Sequence, residues 1–353
     1  MRRLVLKACG LSLLPSASMS FASTPLHAYA DPRLQLIGRF QRETGDSVRF
    51  AWSGSALAFA FSGTRVTLFI ADSGENRFLL DIDGKQRVLT PGGDPRRITL
   101  AEGLAPGEHR LRLTRLTEAL LGETVFIGAP EHDGELLPAT PRQRRLLVIG
   151  DSITAGYGAE GDNPDCGFSP ATENQQLSYA ALAAEALDAD LHSIAWSGKG
   201  AYRNYGETLP QAPNMSALHR RTLPGRADSQ WPDADYRPDA IVINLGSNDF
   251  WSGAPAGERY DAAMGALVDT LRQIHPDSPI YLMASPLLLG ATRGAQVRAL
   301  DRVCSARDKV RLLDLERVRP EEGWGCDYHP GRATHARQAT ELASRLRTDL
   351  GWR

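Results

Sequence analysis

The stretch Leu146-Leu147-Val148-Ile149-Gly150-Asp151-Ser152-Ile153-Thr154-Ala155-Gly156 decides the fold class. Its apolar run has no polar alternation, which is the habit of a strand buried on both faces in a parallel sheet covered by helices. Similar runs recur at residues 191–195, 240–245, 280–284 and 310–315. Between them, residues 179–189, 259–274, 295–306 and 334–350 carry apolar positions at helical spacing. This alternation predicts an α/β unit over residues 144–353, a parallel sheet sandwiched by helices. Ligands of such sheets bind beyond the carboxyl ends of the strands, where Asp151 and Ser152 stand.

The pattern upstream is different. Residues 34–130 run in short alternating segments broken by turn-forming stretches such as Ser62-Gly63-Thr64 and Asp83-Gly84. They predict a β-sandwich of jelly-roll type over residues 31–135, and residues 131–145 read as a polar connector. At the start, Arg2, Arg3 and Lys7, an apolar stretch over 8–22 and the small-residue exit Ala28-Tyr29-Ala30 read as a signal peptide over residues 1–30. The expected location is secreted or periplasmic. Lys7 and Pro15 leave the stretch too short and broken to span a bilayer, and no other segment is long enough.

The chain has 353 residues, 42% hydrophobic and 23% charged, which favours folded domains over disorder. A formal net charge of −2 gives no general field for phosphate backbones, so nucleic acid is not an expected partner. The oligomeric state is left open. Cys166, Cys304 and Cys326 follow the leader, an odd count that permits one disulfide without saying which pair forms it. Their scatter does not match a metal site, and no cofactor is expected.

Three further stretches follow strand ends. Ser197-Gly198-Lys199-Gly200 can present the Gly198 N–H, and Gly246-Ser247-Asn248-Asp249 can present the Asn248 amide. Cys326-Asp327-Tyr328-His329-Pro330 places a histidine on a loop near the last helix. A serine hydroxyl needs a neighbouring base to become a nucleophile, and N–H donors around a carbonyl stabilise the oxyanion that forms. Taken singly, each stretch is equally well a capping turn or an ordinary loop.

Taken in order, GDSITAG, SGKG, GSND and DYHP closely resemble the signature blocks of the SGNH hydrolases, the GDSL esterase and lipase superfamily. The resemblance implies that Ser152 is the nucleophile and His329 the base, with the Ser152 N–H, Gly198 and Asn248 forming the oxyanion hole. The superfamily usually places an aspartate three residues before the histidine. Here that position is Cys326, and Asp327 stands two before, so the third member is Asp327, a backbone carbonyl, or absent. The preceding sandwich, with Ser197 to Gly206 and Cys326 to Pro330, is similar to carbohydrate esterase family 2. That similarity implies removal of O-acetyl groups from xylan or a related polysaccharide through an acetyl-enzyme. Tyr328, Tyr202 and Trp324 are the expected sugar contacts, within a wider set that includes Trp196, Tyr205, Trp231 and Trp251. Other esters, such as acetylated peptidoglycan, short acyl esters or lipids, and a non-catalytic carbohydrate-binding role are the alternatives.

Overall fold

The computed structural model describes residues 28–232 and 236–352. The predicted leader, up to residue 27, lies outside the described residues.

The run that ends in Gly150 forms the strand Arg144–Gly150 of a five-stranded parallel sheet. The spatial order is Ala189–Ala195, Arg144–Gly150, Ala240–Asn244, Ile280–Met283 and Val310–Leu313. Side chains alternate across the sheet, and both faces are dry. Leu147, Ile149, Ile241, Ile243 and Leu282 pack against the helices Arg259–Ile274 and Gly290–Ser305. Leu146, Val148, Val242, Tyr281 and Met283 pack against Tyr179–Ala186 and Arg332–Leu350. Burial on both sides explains why these strands show no polar alternation. The helix Arg259–Ile274 turns Tyr260, Met264, Leu267, Val268 and Leu271 inward, one stripe at helical spacing. The chain direction reverses laterally between the strands that end at Gly150 and Asn244, the place where open sheets of this order form their ligand crevice.

The N-terminal part is a sandwich of two antiparallel sheets. One has the order Gln35–Ile37, Ala56–Ser62, Glu108–Arg115, Phe78–Ile82, Lys85–Leu89; the other Gln41–Glu43, Ser47–Phe50, Thr124–His132, Val66–Ala71, Arg96–Ala101. Leu57, Phe59 and Phe61 on one strand point inward at period two. The Phe50 ring meets Phe126 at 4.7 Å and Phe78 edge-on at 6.3 Å. Each such side chain contributes roughly 1.5–3 kcal/mol on burial.

The expected polar connector is more ordered than its composition indicates. Glu131 and His132 complete the strand Thr124–His132, and Leu136–Leu137 pairs back onto Ala56–Ser62.

The two parts share packing. Trp52, fully buried, belongs to the core of the parallel sheet and donates its indole N–H to the Arg221 carbonyl at 3.1 Å. Arg77 reaches across to Glu160 at 2.7 Å and to the carbonyls of Ala171 and Glu173 at 2.7 and 3.2 Å. Among the described residues, no helix is long and apolar enough to cross a membrane.

Candidate active site

Asp151 caps the short helix Ser152–Ala155, its side chain accepting the Ile153 N–H at 3.1 Å. The capping turn anticipated for these residues is present, and it aims the Ser152 hydroxyl outward from the sheet. Ser152 Oγ lies 2.9 Å from His329 Nε2, although 177 residues separate the two. Burial holds the Asp151 carboxyl up at about 7.

His329 is held by backbone. The Cys326 carbonyl accepts from His329 Nδ1 at 3.1 Å and from the His329 amide at 3.1 Å. Asp327 (φ 51°, ψ 39°) and Tyr328 (φ 56°) both adopt left-handed backbone conformations, uncommon for residues with a Cβ, and this folds the carbonyl back toward the imidazole. The expectation for Asp327 as the orienting acid is corrected here. Its carboxylate accepts the Tyr157 hydroxyl, while Nδ1 goes to the carbonyl one residue earlier. The two-residue offset is the cause, because it points the aspartate away from the ring.

Tyr157 completes this clasp. Its ring stacks on His329 with centroids 4.1 Å apart. Nothing in the motif reading singled it out, although it follows the serine block directly. Burial lowers the His329 pKa from its ordinary value, opposed by the Cys326 and Asp327 backbone contacts and by the Asp327 charge. Among the cysteines, Cys166 and Cys326 form the disulfide, with Cα atoms 4.7 Å apart, and Cys304 keeps its thiol. The Asp327 amide also donates to the carbonyls of Pro164 and Cys166, at 3.0 and 2.9 Å. The histidine loop is thereby fastened to the loop that follows the serine.

The glycine stretch is a turn closed by the Lys199 N–H on the Trp196 carbonyl at 3.3 Å. Gly198 has φ +76°, where residues with a Cβ are strained, and Gly200 has no space for one, since the Arg203 carbonyl would lie 2.1 Å away. Among the described residues, the backbone N–H groups of Ser152 and Gly198 have no protein acceptor. Asn248 Nδ2 donates to the Lys199 carbonyl at 2.8 Å and lies 3.4 Å from Asp151 Oδ2. Asp249, buried, accepts the N–H groups of Ala201, Tyr202 and Arg203 at 3.0, 2.7 and 3.0 Å, pinning the glycine loop to the asparagine loop.

The expected sugar contacts lie in two places. Tyr328 is 60% exposed and meets Trp324 edge-on at 6.0 Å, beside His329. The Tyr202 hydroxyl accepts from Arg259 at 3.3 Å. Tyr205 and Trp251, 65% and 41% exposed and 5.3 Å apart, form a second aromatic pair next to Gly198, whose carbonyl accepts the Tyr205 N–H at 2.8 Å. Trp196 and Trp231 pack against the core instead.

Three other histidines have structural contacts. His192 stacks on Tyr236 at 3.5 Å, His109 bridges Asp83 and the Ala105 carbonyl, and His335 accepts the Tyr179 N–H at 3.1 Å. Burial pushes His335 down to about 3 and His219 to about 4. His329 is thus the histidine within reach of Ser152.

Residues 36–141 match the Carbohydrate esterase 2 N-terminal family model, and residues 148–337 the GDSL-like Lipase/Acylhydrolase family. An acetylxylan esterase / glucomannan deacetylase of Cellvibrio japonicus is 34% identical over 295 residues, covering 79% of this chain and 80% of that protein. The chain belongs to carbohydrate esterase family 2. A solved family two carbohydrate esterase from Clostridium thermocellum, in complex with cellohexaose, superposes with a TM-score of 0.86. It is 34% identical, and the match covers 91% of this chain and 100% of that one. The cellulase/esterase CelE of Acetivibrio thermocellus is 34% identical over 331 residues, but the chain spans only 40% of its length. Family 2 membership places this chain among the carboxylic ester hydrolases, with a sandwich ahead of a GDSL-type sheet as in its relatives.

Proposed function

We propose that this esterase removes O-acetyl groups from xylan or a related hemicellulose through a Ser152–His329 centre and an acetyl-enzyme. The observation that carries the proposal is the 2.9 Å contact between Ser152 Oγ and His329 Nε2 beside two N–H groups without acceptors. In the first step Nε2 takes the hydroxyl proton while Oγ attacks the acetyl carbonyl. The Ser152 and Gly198 N–H groups donate to the oxyanion, joined by Asn248 Nδ2 as it gives up its long 3.4 Å bond to Asp151 Oδ2, each such donor being worth roughly 10²–10³ in rate. His329 then protonates the departing sugar oxygen, leaving acetate esterified to Ser152. Water, deprotonated by the same imidazole, attacks that ester, and the serine leaves with its proton restored. The Cys326 carbonyl holds the Nδ1–H tautomer throughout, the task an aspartate performs in a full triad.

A polysaccharide substrate is supported by the aromatic pairs Tyr328–Trp324 and Tyr205–Trp251 near the serine, with Tyr328, Tyr205 and Trp251 exposed, since sugar rings stack on such faces. The relative captured with cellohexaose favours a β-linked backbone along this face. Export is supported by the leader pattern together with the Cys166–Cys326 disulfide, which persists in oxidising compartments. The leader expected over residues 1–30 includes Tyr29, which is buried in the sandwich with its hydroxyl on the Gly128 carbonyl at 2.9 Å, so the cut is placed ahead of Tyr29 rather than after Ala30.

The test is acetate release from acetylated xylan, acetylated glucomannan, acetylated peptidoglycan and p-nitrophenyl esters of rising chain length. Release from the hemicelluloses is expected to dominate and to vanish in Ser152→Ala. Preference for long acyl chains, or equal release by Ser152→Ala, would overturn the proposal. Glycan binding without any turnover would identify a binding module instead.

A further inference from the structure

We propose that Glu118, a residue of the N-terminal sandwich, is a positioning residue for the oxyanion loop: its carboxyl holds the Ser197 N–H and thereby fixes the Trp196–Ser197 peptide, at the entry of the turn that presents the Gly198 N–H. The proposal rests on the role given above to the Gly198 N–H.

Glu118 follows the sandwich strand Glu108–Arg115 and is fully buried. Its Oε2 accepts the Ser197 N–H at 2.6 Å, across 79 residues of sequence. Its own amide donates to Glu173 Oε2 at 3.1 Å. Its carbonyl accepts from Arg115 Nη2 at 2.9 Å, and that guanidinium also bonds the Thr117 and Gly122 carbonyls. The carboxyl therefore has a fixed base on the sandwich side and a single backbone donor on the catalytic side.

The peptide it grips, Trp196–Ser197, leads into a tight turn. Trp196 to Lys199 close a turn with positive φ at its third residue, Gly198, as in type II. The Gly198 N–H belongs to the next peptide, Ser197–Gly198, and is carried by Ser197, whose own N–H Glu118 holds. Glycine, the least restrained residue, leaves the direction of its N–H to the anchors on either side. Downstream the loop is already anchored, by Tyr205 N–H on the Gly198 carbonyl and Asn248 on the Lys199 carbonyl. Upstream, Glu118 supplies the anchor. A buried carboxyl is costly to place unless it is bonded, so its presence here calls for a job that a smaller apolar residue cannot do. Burial also raises its pKa to about 7, and both protonation states retain an oxygen that accepts the N–H.

The test compares Glu118→Gln and Glu118→Met, which occupy similar volume and differ in whether an acceptor remains. On acetylated xylan, Glu118→Met is expected to lose about tenfold or more in kcat with KM changed less than about twofold, while Glu118→Gln stays within about threefold of wild type. Thermal melts establish that each variant is folded. A folded Glu118→Met with wild-type kcat, a loss confined to KM, or a Glu118→Gln as impaired as Glu118→Met would each overturn the proposal. Should Glu118→Met fail to fold, Glu118→Asp decides: it withdraws the carboxyl by one methylene, and a folded variant with unchanged kcat overturns the proposal. Ser152→Ala assayed in parallel separates this from the reaction itself. If wild type and Ser152→Ala release acetate equally, the reaction assignment fails. If they differ and Glu118→Met matches wild type, only the role of Glu118 fails.

Discussion

At the scale of single residues, the site replaces a carboxylate with a peptide carbonyl. Nδ1 of His329 is oriented by Cys326, and the Asp327 carboxylate acts on the ring through its charge and through Tyr157, which stacks on the imidazole. Asp327→Asn is therefore expected to lose less than about tenfold in kcat, against the roughly 10⁴ lost when a true triad aspartate becomes asparagine. The pH profile gives a second reading of the same contact. Burial already lowers the His329 pKa, so the neutral base persists below pH 6.5 and kcat/KM falls only on further acidification. The Asp327 charge raises that pKa, so its removal moves the acid limb to lower pH. A loss near 10⁴ would restore the aspartate to the centre, and a limb that moves upward would refute the charge effect.

At the scale of elements, the loops matter more than the strands that carry them. Cys166–Cys326 ties the histidine loop to the loop after Ser152 and closes 160 residues of chain. In the chain-entropy account a closure of this length is worth about 4–5 kcal/mol. Cys326→Ser is expected to lower the unfolding free energy by about 2–5 kcal/mol and to reduce kcat, as is treatment with dithiothreitol. Unchanged turnover in full reductant would show that the hydrogen bonds of Asp327 alone hold the loop. The regular elements were legible because each has one clear period. Residues 259–274 were expected to be helical and form the helix Arg259–Ile274. Lys85–Leu89 and Arg96–Ala101 are harder to read as strands: they lie at sheet edges, and Lys85, Arg87, Arg96 and Arg97 face solvent. The four signature loops could be read as one site because each follows a strand end. The carbonyl that orients His329 could not, since a backbone atom leaves no mark in a sequence. Nor could Glu118 and the cysteine pair, whose partners lie 79 and 160 residues away.

At the scale of the molecule, sandwich and sheet behave as one body with a shared interior. Trp52 leaves the sandwich to fill the core under the parallel sheet, and Arg77 and Glu118 cross the same boundary. The intact chain is expected to unfold in a single calorimetric transition. Trp52→Ala is expected to lower the whole transition, by about 3–5 kcal/mol in unfolding free energy, rather than the sandwich's share alone. Two resolved peaks, one of them unmoved in Trp52→Ala, would refute the coupling.

That buried indole has a bearing on how such enzymes are shuffled. Severed at the junction near residue 140, either fragment carries away something the other requires, a plug of hydrophobic volume or the socket around it. The portable cassette is accordingly the pair, and grafts that exchange the front fragment between relatives should succeed only when the socket travels with it.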